Sequence, residues 1–269
     1  MPDSIPPNIR LGTSAFTAAG WPGTFYPERL PAKEQLSYYA TKFDTVELDT
    51  TFYGTPKPST VIGWAEKTPK GFLFAAKVPQ TITHDQVLTT CDDDFANFIK
   101  TMELLGDKLG PMLLQFPYFN KAKFKSLPEF LAVLEPFLKK LPKDHQFALE
   151  IRNEKWLHPT LTELLKAHGV ALALIDQAWM PRPAEWFSKI NPITADFMYL
   201  RWLGDRKGIE AITKVWDKTI VDRTAELQEW VKVCRQEVRK GKKVYAYANN
   251  HYAGHGPATV SLFKTLWAT

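Results

Sequence analysis

Cysteine is almost absent. Cys91 and Cys234 are the only two in 269 residues, too few for a disulfide framework and in keeping with a reducing compartment. Long apolar runs are missing as well: MPDSIPPNIR at the start has no signal-peptide core, and no uninterrupted apolar stretch approaches the roughly 18 residues of a membrane span. A cytoplasmic, soluble protein is the expectation. There is no linker, internal repeat or low-complexity segment, and LGTSAFTAAGWPG, after the first strand-like run, lacks the G-x-G-x-x-G spacing that an open dinucleotide-binding sheet requires. No one sign of charge dominates. Thirty-four basic against 29 acidic residues leave +5, a mild bias toward anionic partners. The basic clusters KAKFK (121–125), DRKG (205–208) and VRKGKK (238–243) are short, so they read as solvated turns and helix ends rather than a nucleic-acid stripe.

What the chain does have is eight short, nearly continuous apolar runs. They are IRLGTS (9–14), TVELD (45–49), FLFAAKVP (72–79), PMLLQFP (111–117), FALEIR (147–152), ALALID (171–176), MYLRWLG (198–204) and KVYAYANN (243–250). Such runs suit parallel strands covered on both faces. Helical patterns lie between them. Phe95, Phe98, Ile99, Met102 and Leu105 follow helical spacing behind an acidic DDD start. Ser126 and Glu129 have capping-box spacing, and Pro159 stands where a first helical turn accepts proline. Eight alternations in a chain of this length predict an α/β fold, a single closed (β/α)8 TIM barrel over residues 1–269 with residues 1–8 as a flexible N-terminus.

Polar side chains gather at the C-terminal ends of the runs, where barrel enzymes keep their sites. Thr13, Ser14, Glu47, Asp49, Lys77, Gln115, Glu150, Arg152, Asp176, Arg201, Tyr247, Asn249 and Asn250 all fall there. Alternation along a strand puts Glu47 with Asp49, Glu150 with Arg152, and Tyr247 with Asn249 on shared faces. Glu47 and Glu150 are the carboxylates expected to carry acid/base work, with Asp176 orienting one of them and His84, on the TITHD segment, as a further proton-transfer group on a lid-like loop. Lys77, Arg152 and Arg201 are expected to hold an anion, with Gln115 and Tyr247 beside them.

The strings GTSAFTAAGWPGTFYP, FDTVELDTTFYGTP, FLFAAKVPQTITHD, LGPMLLQFPYF, FALEIRNEKW, YLRWLG and YAYANNHYAGHGPAT, in this order, resemble the YecE-like family known as domain of unknown function 72. The resemblance runs from about Arg10 to the last helix and implies a TIM barrel. It departs from the family pattern at Asp49, where asparagine is usual, at Ala248, where phenylalanine is usual, and at Trp202 and Leu203, where an R-x-H-G ending would place a histidine. A proton-transfer role for that histidine has no counterpart here.

In YAYANNHYAGHGPA, Asn249 and Asn250 end the eighth run and HYAGHG leads to Pro257 at the start of the last helix. Barrels often hold phosphate at such a helix start, and Gly254 and Gly256 would let the backbone approach closely. Phe16, Trp21, Phe25, Tyr26, Phe52 and Tyr53 form either a ligand-stacking wall, with Tyr26 and Tyr53 as binding residues, or a hydrophobic layer. A carboxylate-rich mouth is compatible with magnesium or manganese, but no cofactor is required, and with no strand ending in histidine and no C-x-x-C pair a zinc cage is not expected.

The leading expectation is an enzyme that binds a phosphorylated or nucleotide-like small molecule and performs acid/base chemistry such as hydrolysis. Two alternatives stand beside it: a nucleic-acid binding or processing protein, and a non-catalytic scaffold whose polar groups form a buried ion-pair lattice. The oligomeric state is open.

Overall fold

The computed structural model describes residues 4–269; residues 1–3 of the expected flexible N-terminus lie outside the described residues. All eight apolar runs form strands: β1 (Ile9–Thr13), β2 (Thr45–Leu48), β3 (Leu73–Lys77), β4 (Leu109–Gln115), β5 (Phe147–Glu150), β6 (Ala171–Gln177), β7 (Phe197–Gly204) and β8 (Lys243–Ala248). Between and after them run α1 (Ala32–Tyr39), α2 (Pro58–Glu66), α3 (Asp92–Met102), α4 (Leu127–Lys139), α5 (Pro159–Ala167), α6 (Pro183–Lys189), α7 (Arg206–Glu210), α8 (Thr224–Arg239), α9 (Asn250–Ala253) and α10 (Gly256–Trp267).

The strand order is β1-β8-β7-β6-β5-β4-β3-β2, so neighbours in the sheet are neighbours in the chain and the first strand joins the last. Every recorded pairing, β1 with β8, β3 with β4, β4 with β5, β5 with β6 and β7 with β8, is parallel. With helices in the connections, this is the (β/α)8 TIM-barrel fold.

Helix boundaries follow their local chemistry. In α3, Asp92, Asp93 and Asp94 occupy the first turn, favoured by the helix dipole, while Phe95, Phe98, Ile99 and Met102 are buried along one stripe. Pro159 opens α5, and His158 caps it by accepting the Thr160 N–H at Nδ1. The capping box of α4 departs from expectation. Ser126 makes no side-chain cap, and Glu129 accepts the backbone N–H of Lys125, one residue earlier, at 2.7 Å.

Residues cluster into two compact units. The first holds residues up to Glu47, Leu174–Ala184 and Phe197–Thr269; the second holds Leu48–Ala173 and Glu185–Asp196. Each has an aromatic core. Trp21, Tyr39, Tyr199, Trp202, Trp230, Tyr247 and Tyr252 are fully buried in the first, and Phe72, Phe74, Phe98, Phe116 and Trp186 in the second. The high aromatic content therefore serves packing. Among the described residues no helix is long and apolar enough to cross a membrane.

Candidate functional site

In the second unit, three neighbouring strands end in polar residues: Lys77 on β3, Gln115 on β4 and Glu150 on β5. Gln115 and Glu150 are register partners, and Lys77 pairs with Leu113, two residues before Gln115. Asp49 and Phe52 come from the short 3-10 turn Asp49–Tyr53 that follows β2.

Lys77 is almost entirely buried and holds two partners. Its Nζ is 2.8 Å from Asp49 Oδ1 and 4.1 Å from the centroid of the Phe52 ring, a cation–π distance. Thr51 donates to the Lys77 carbonyl at 2.7 Å and so fixes the strand end. A histidine joins this group: the Phe52 and His84 rings meet edge to face at 4.9 Å, and His84 Nδ1 is 2.8 Å from Thr83 Oγ1. Burial, then the charges of Lys77 and Arg152, lower the His84 pKa from 6.5 to about 4, against smaller opposing effects of Asp85 and Glu150. His84 is therefore neutral at physiological pH.

Glu150 is wholly buried, and Arg152 Nε donates to its Oε1 at 2.9 Å while about a quarter of the arginine side chain stays exposed. Gln115 donates from Nε2 to the Phe116 carbonyl at 2.8 Å. Tyr53 is 76% exposed. Two cations, a buried carboxylate, a neutral imidazole and an open ring therefore belong to one set of strand ends and loops.

The segment carrying His84 is not the open loop that its composition suggests. Thr81–Asp85 forms a single π-helical turn, and Val87, Leu88 and Thr90 then adopt left-handed φ of 46°, 63° and 54°. Such geometry costs non-glycine residues about 1–2 kcal/mol each. Burial of Ile82, Val87 and Leu88 offsets it.

The sequence-predicted residues of the first unit are engaged in a different way. Glu47 is fully buried and saturated: Tyr199 Oη donates to Oε2 at 2.6 Å, and Arg201 Nε and Nη2 donate to Oε1 at 3.1 and 2.8 Å. Tyr247 packs against Tyr199 with tilted rings 5.3 Å apart and shares a hydrogen bond with Thr45 at 3.0 Å. Burial and the Glu47 carboxylate push the Tyr199 phenol well above its ordinary pKa, and burial does the same for Tyr247. Asp176 accepts from Arg182 at 2.6 Å, Trp230 at 2.8 Å and Tyr252 at 2.7 Å. These are the ties of an ion-pair and hydrogen-bond lattice.

Glu47 and Asp49 do not converge on common partners as strand alternation suggests. β2 ends at Leu48, and the turn after it gives Asp49 to Lys77 while Glu47 keeps Arg201.

Both asparagines cap helices. Asn249 Oδ1 accepts the His251 N–H at 2.9 Å at the start of α9. Asn250 lies inside α9 rather than ending β8, and its Oδ1 accepts the Gly256 N–H at 2.8 Å and Trp21 Nε1 at 3.2 Å. His255 Nδ1 then takes the Ala258 N–H at 3.2 Å. The donors at the start of α10 are thus already paired with side chains, and an anion there would have to displace them. Gly254 ends α9 with φ 106°, where an added Cβ would lie 2.5 Å from the Lys218 carbonyl oxygen. A Cβ on Gly256 would crowd Thr13 at 3.1 Å. Close approach is real at both glycines, but by the chain itself.

His251 and His255 stand four apart and act separately, since His251 Nε2 is 2.9 Å from Glu210 Oε1 and His255 is a cap. Tyr26 is 2% exposed, packs on Trp21, Phe25 and Tyr38, and donates its hydroxyl to the Phe16 carbonyl. It belongs to the hydrophobic layer. Among the described residues no three His, Cys, Asp or Glu side chains gather as a metal-holding group.

One contributor had no sequence signal: Arg182 clamps Asp176 from a proline-flanked loop. Asp49 is placed at a strand end by the sequence, but its role as the carboxylate partner of Lys77 is not.

A model of the family described as "Protein of unknown function DUF72" matches residues 10–269. Curated relatives include UPF0759 protein YecE of Escherichia coli (strain K12), 37% identical over 121 residues, 45% of this chain and 42% of that protein. UPF0759 protein YunF of Bacillus subtilis (strain 168) is 30% identical over 146 residues, 52% and 50% of the two chains. The chain thus spans half or less of the length of the curated relatives it matches. Among solved structures, a DUF72 family protein from Thermotoga maritima MSB8 is 27% identical with TM-score 0.68, covering 96% of this chain and 98% of that one. A DUF72 family protein from Enterococcus faecalis V583 has TM-score 0.71 at 21% identity, with 97% and 96% covered; that likeness concerns the fold.

Proposed function

The chain belongs to the DUF72 family, and within that (β/α)8 frame we propose that it is an enzyme binding a small anionic, phosphorylated or nucleotide-like molecule at the strand ends of its second unit. Lys77 and Arg152 hold the anion, Glu150 and His84 exchange protons with it, and the open Tyr53 ring offers a face to an apolar or planar part. Hydrolysis is the reaction class best served by such a pair. The single observation that carries this reading is His84: a half-buried imidazole kept neutral partly by two separate cations, Lys77 and Arg152, marks a place where positive charge from β3 and the β5 end acts on one point. A neutral imidazole at neutral pH accepts a proton, which a protonated one cannot.

Glu47 and Asp176 have no catalytic part in this reading. A buried carboxylate with three donors is held fixed by them, which suits a lattice that shapes the first unit.

Gentle purification followed by native mass spectrometry and metabolite extraction tests the reading. A phosphorylated molecule that co-purifies with the native chain and is lost from Arg152→Ala and Lys77→Gln is the expected result. A chain that carries and binds no anion, or binds it equally in both variants, would overturn it.

A further inference from the structure

The loop from the end of β4 to the start of α4, PYFNKAKFKS at 117–126, carries three lysines and no carboxylate. Its backbone is held firmly. Asn153 accepts the Phe119 N–H at Oδ1 across 2.9 Å and donates from Nδ2 to the Phe119 carbonyl at 2.8 Å. Asn120 Oδ1 accepts the N–H groups of Ala122 and Lys123 at 3.0 and 3.2 Å. Phe119 and Phe124 turn inward against Phe130 and Trp156, with ring centroids 5.0–6.4 Å apart across the group.

None of these ties uses Tyr118, Lys121, Lys123 or Lys125 side chains. Tyr118 is 67% exposed, the three lysines are exposed, and among the described residues their ammonium groups enter no ion pair. A fixed loop that shows one ring and three cations in no ion pair has a positive field and a stacking face in one place, with Glu129, which accepts the Lys125 N–H, as the carboxylate in the first turn of α4.

We propose that this β4–α4 loop is a binding surface for single-stranded nucleic acid, with Tyr118 stacking on an unpaired base and Lys121, Lys123 and Lys125 neutralising phosphates. The ring selects among polyanions. A single strand offers base faces, whereas a duplex keeps its bases stacked and an acidic peptide offers no rings at regular spacing. An anionic membrane surface would call for more exposed apolar side chains than one tyrosine, and here Phe119 is buried and Phe124 half-buried against Phe130 and Trp156. This surface goes beyond the small-molecule reading, because strand binding here requires no chemistry from Glu150 or His84.

Fluorescence anisotropy of the full chain with a labelled 16-nucleotide oligo-dT, beside heparin as a polyanion without rings, tests it. The native chain is expected to bind the oligonucleotide with a log–log salt slope that falls by about 2 when all three lysines become glutamine, at about 0.7 per single-strand phosphate. Tyr118→Ala is expected to weaken the oligonucleotide roughly tenfold or more and to leave heparin unchanged. Circular dichroism checks that the variants are folded. Absence of binding at low salt, a Tyr118→Ala effect equal for both polyanions, tighter binding of duplex than of single strand, or equal binding of poly-glutamate would each overturn the proposal.

Discussion

The Lys77 ammonium stands 4.1 Å from the centroid of the Phe52 ring, and the His84 ring meets that same ring edge to face at 4.9 Å between centroids. One aromatic ring therefore touches both a buried cation and the imidazole whose protonation that cation opposes. Burial is the larger cause that keeps this histidine neutral, and the Lys77 charge adds to it.

His84 should titrate near pH 4 in an NMR titration of its ring nitrogens, against 6.5 for an ordinary histidine. Lys77→Met should raise that value only part-way, because burial is the larger cause. A group whose folded pKa is depressed contributes stability that is complete above its unfolded pKa. This contribution is lost as pH falls from about 6.5 through about 4. Denaturation midpoints measured across that range should decline more steeply for the native chain than for His84→Phe.

Glu47→Gln should lower stability by about 3–5 kcal/mol, since it removes the buried charge that accepts from Tyr199 and Arg201. Glu47→Gln with Arg201→Met should recover much of the loss. Urea unfolding of the single and double variants measures this directly. A Glu47→Gln chain as stable as the native one would remove the lattice reading of the first unit.

Gly254→Ala meets two penalties at once: a left-handed backbone that costs about 1–2 kcal/mol and a methyl 2.5 Å from a carbonyl oxygen. Marked thermal destabilisation is expected. By contrast Gly241→Ala, at φ 82° with no atom within 4 Å of the new methyl, should cost only the backbone part.

Asn250→Ala removes the acceptor for the Gly256 N–H and for Trp21 Nε1. Loss of a cap and a buried hydrogen-bond partner should cost about 1–3 kcal/mol. Affinity for an anion should be unchanged, which separates a cap from a phosphate cradle in one pair of measurements.

The fold was written plainly in the chain, because eight strands buried on both faces must be apolar nearly throughout, and each apolar run proved to be a strand. The second-unit site was half legible. Lys77, Gln115 and Glu150 end their strands as spacing implies, but the link through Phe52 depends on where a 3-10 turn points a ring, and periodicity does not encode that. Nor did TITHD announce a π-turn, since its stability comes from burying Ile82, Val87 and Leu88 rather than from local propensity. YAYANNHYAGHGPA misled in the other direction. Asparagines, histidines and glycines resemble an anion loop, yet the same donors and acceptors satisfy the ends of two successive helices.

The central claim is that Lys77 and Arg152 make an anion site, and isothermal titration with pyrophosphate at pH 7.5 and low salt tests it most directly. Saturable one-site binding that weakens at least tenfold in both Lys77→Gln and Arg152→Ala, with both variants folded, is the result predicted. No binding, or binding indifferent to both substitutions, would contradict it.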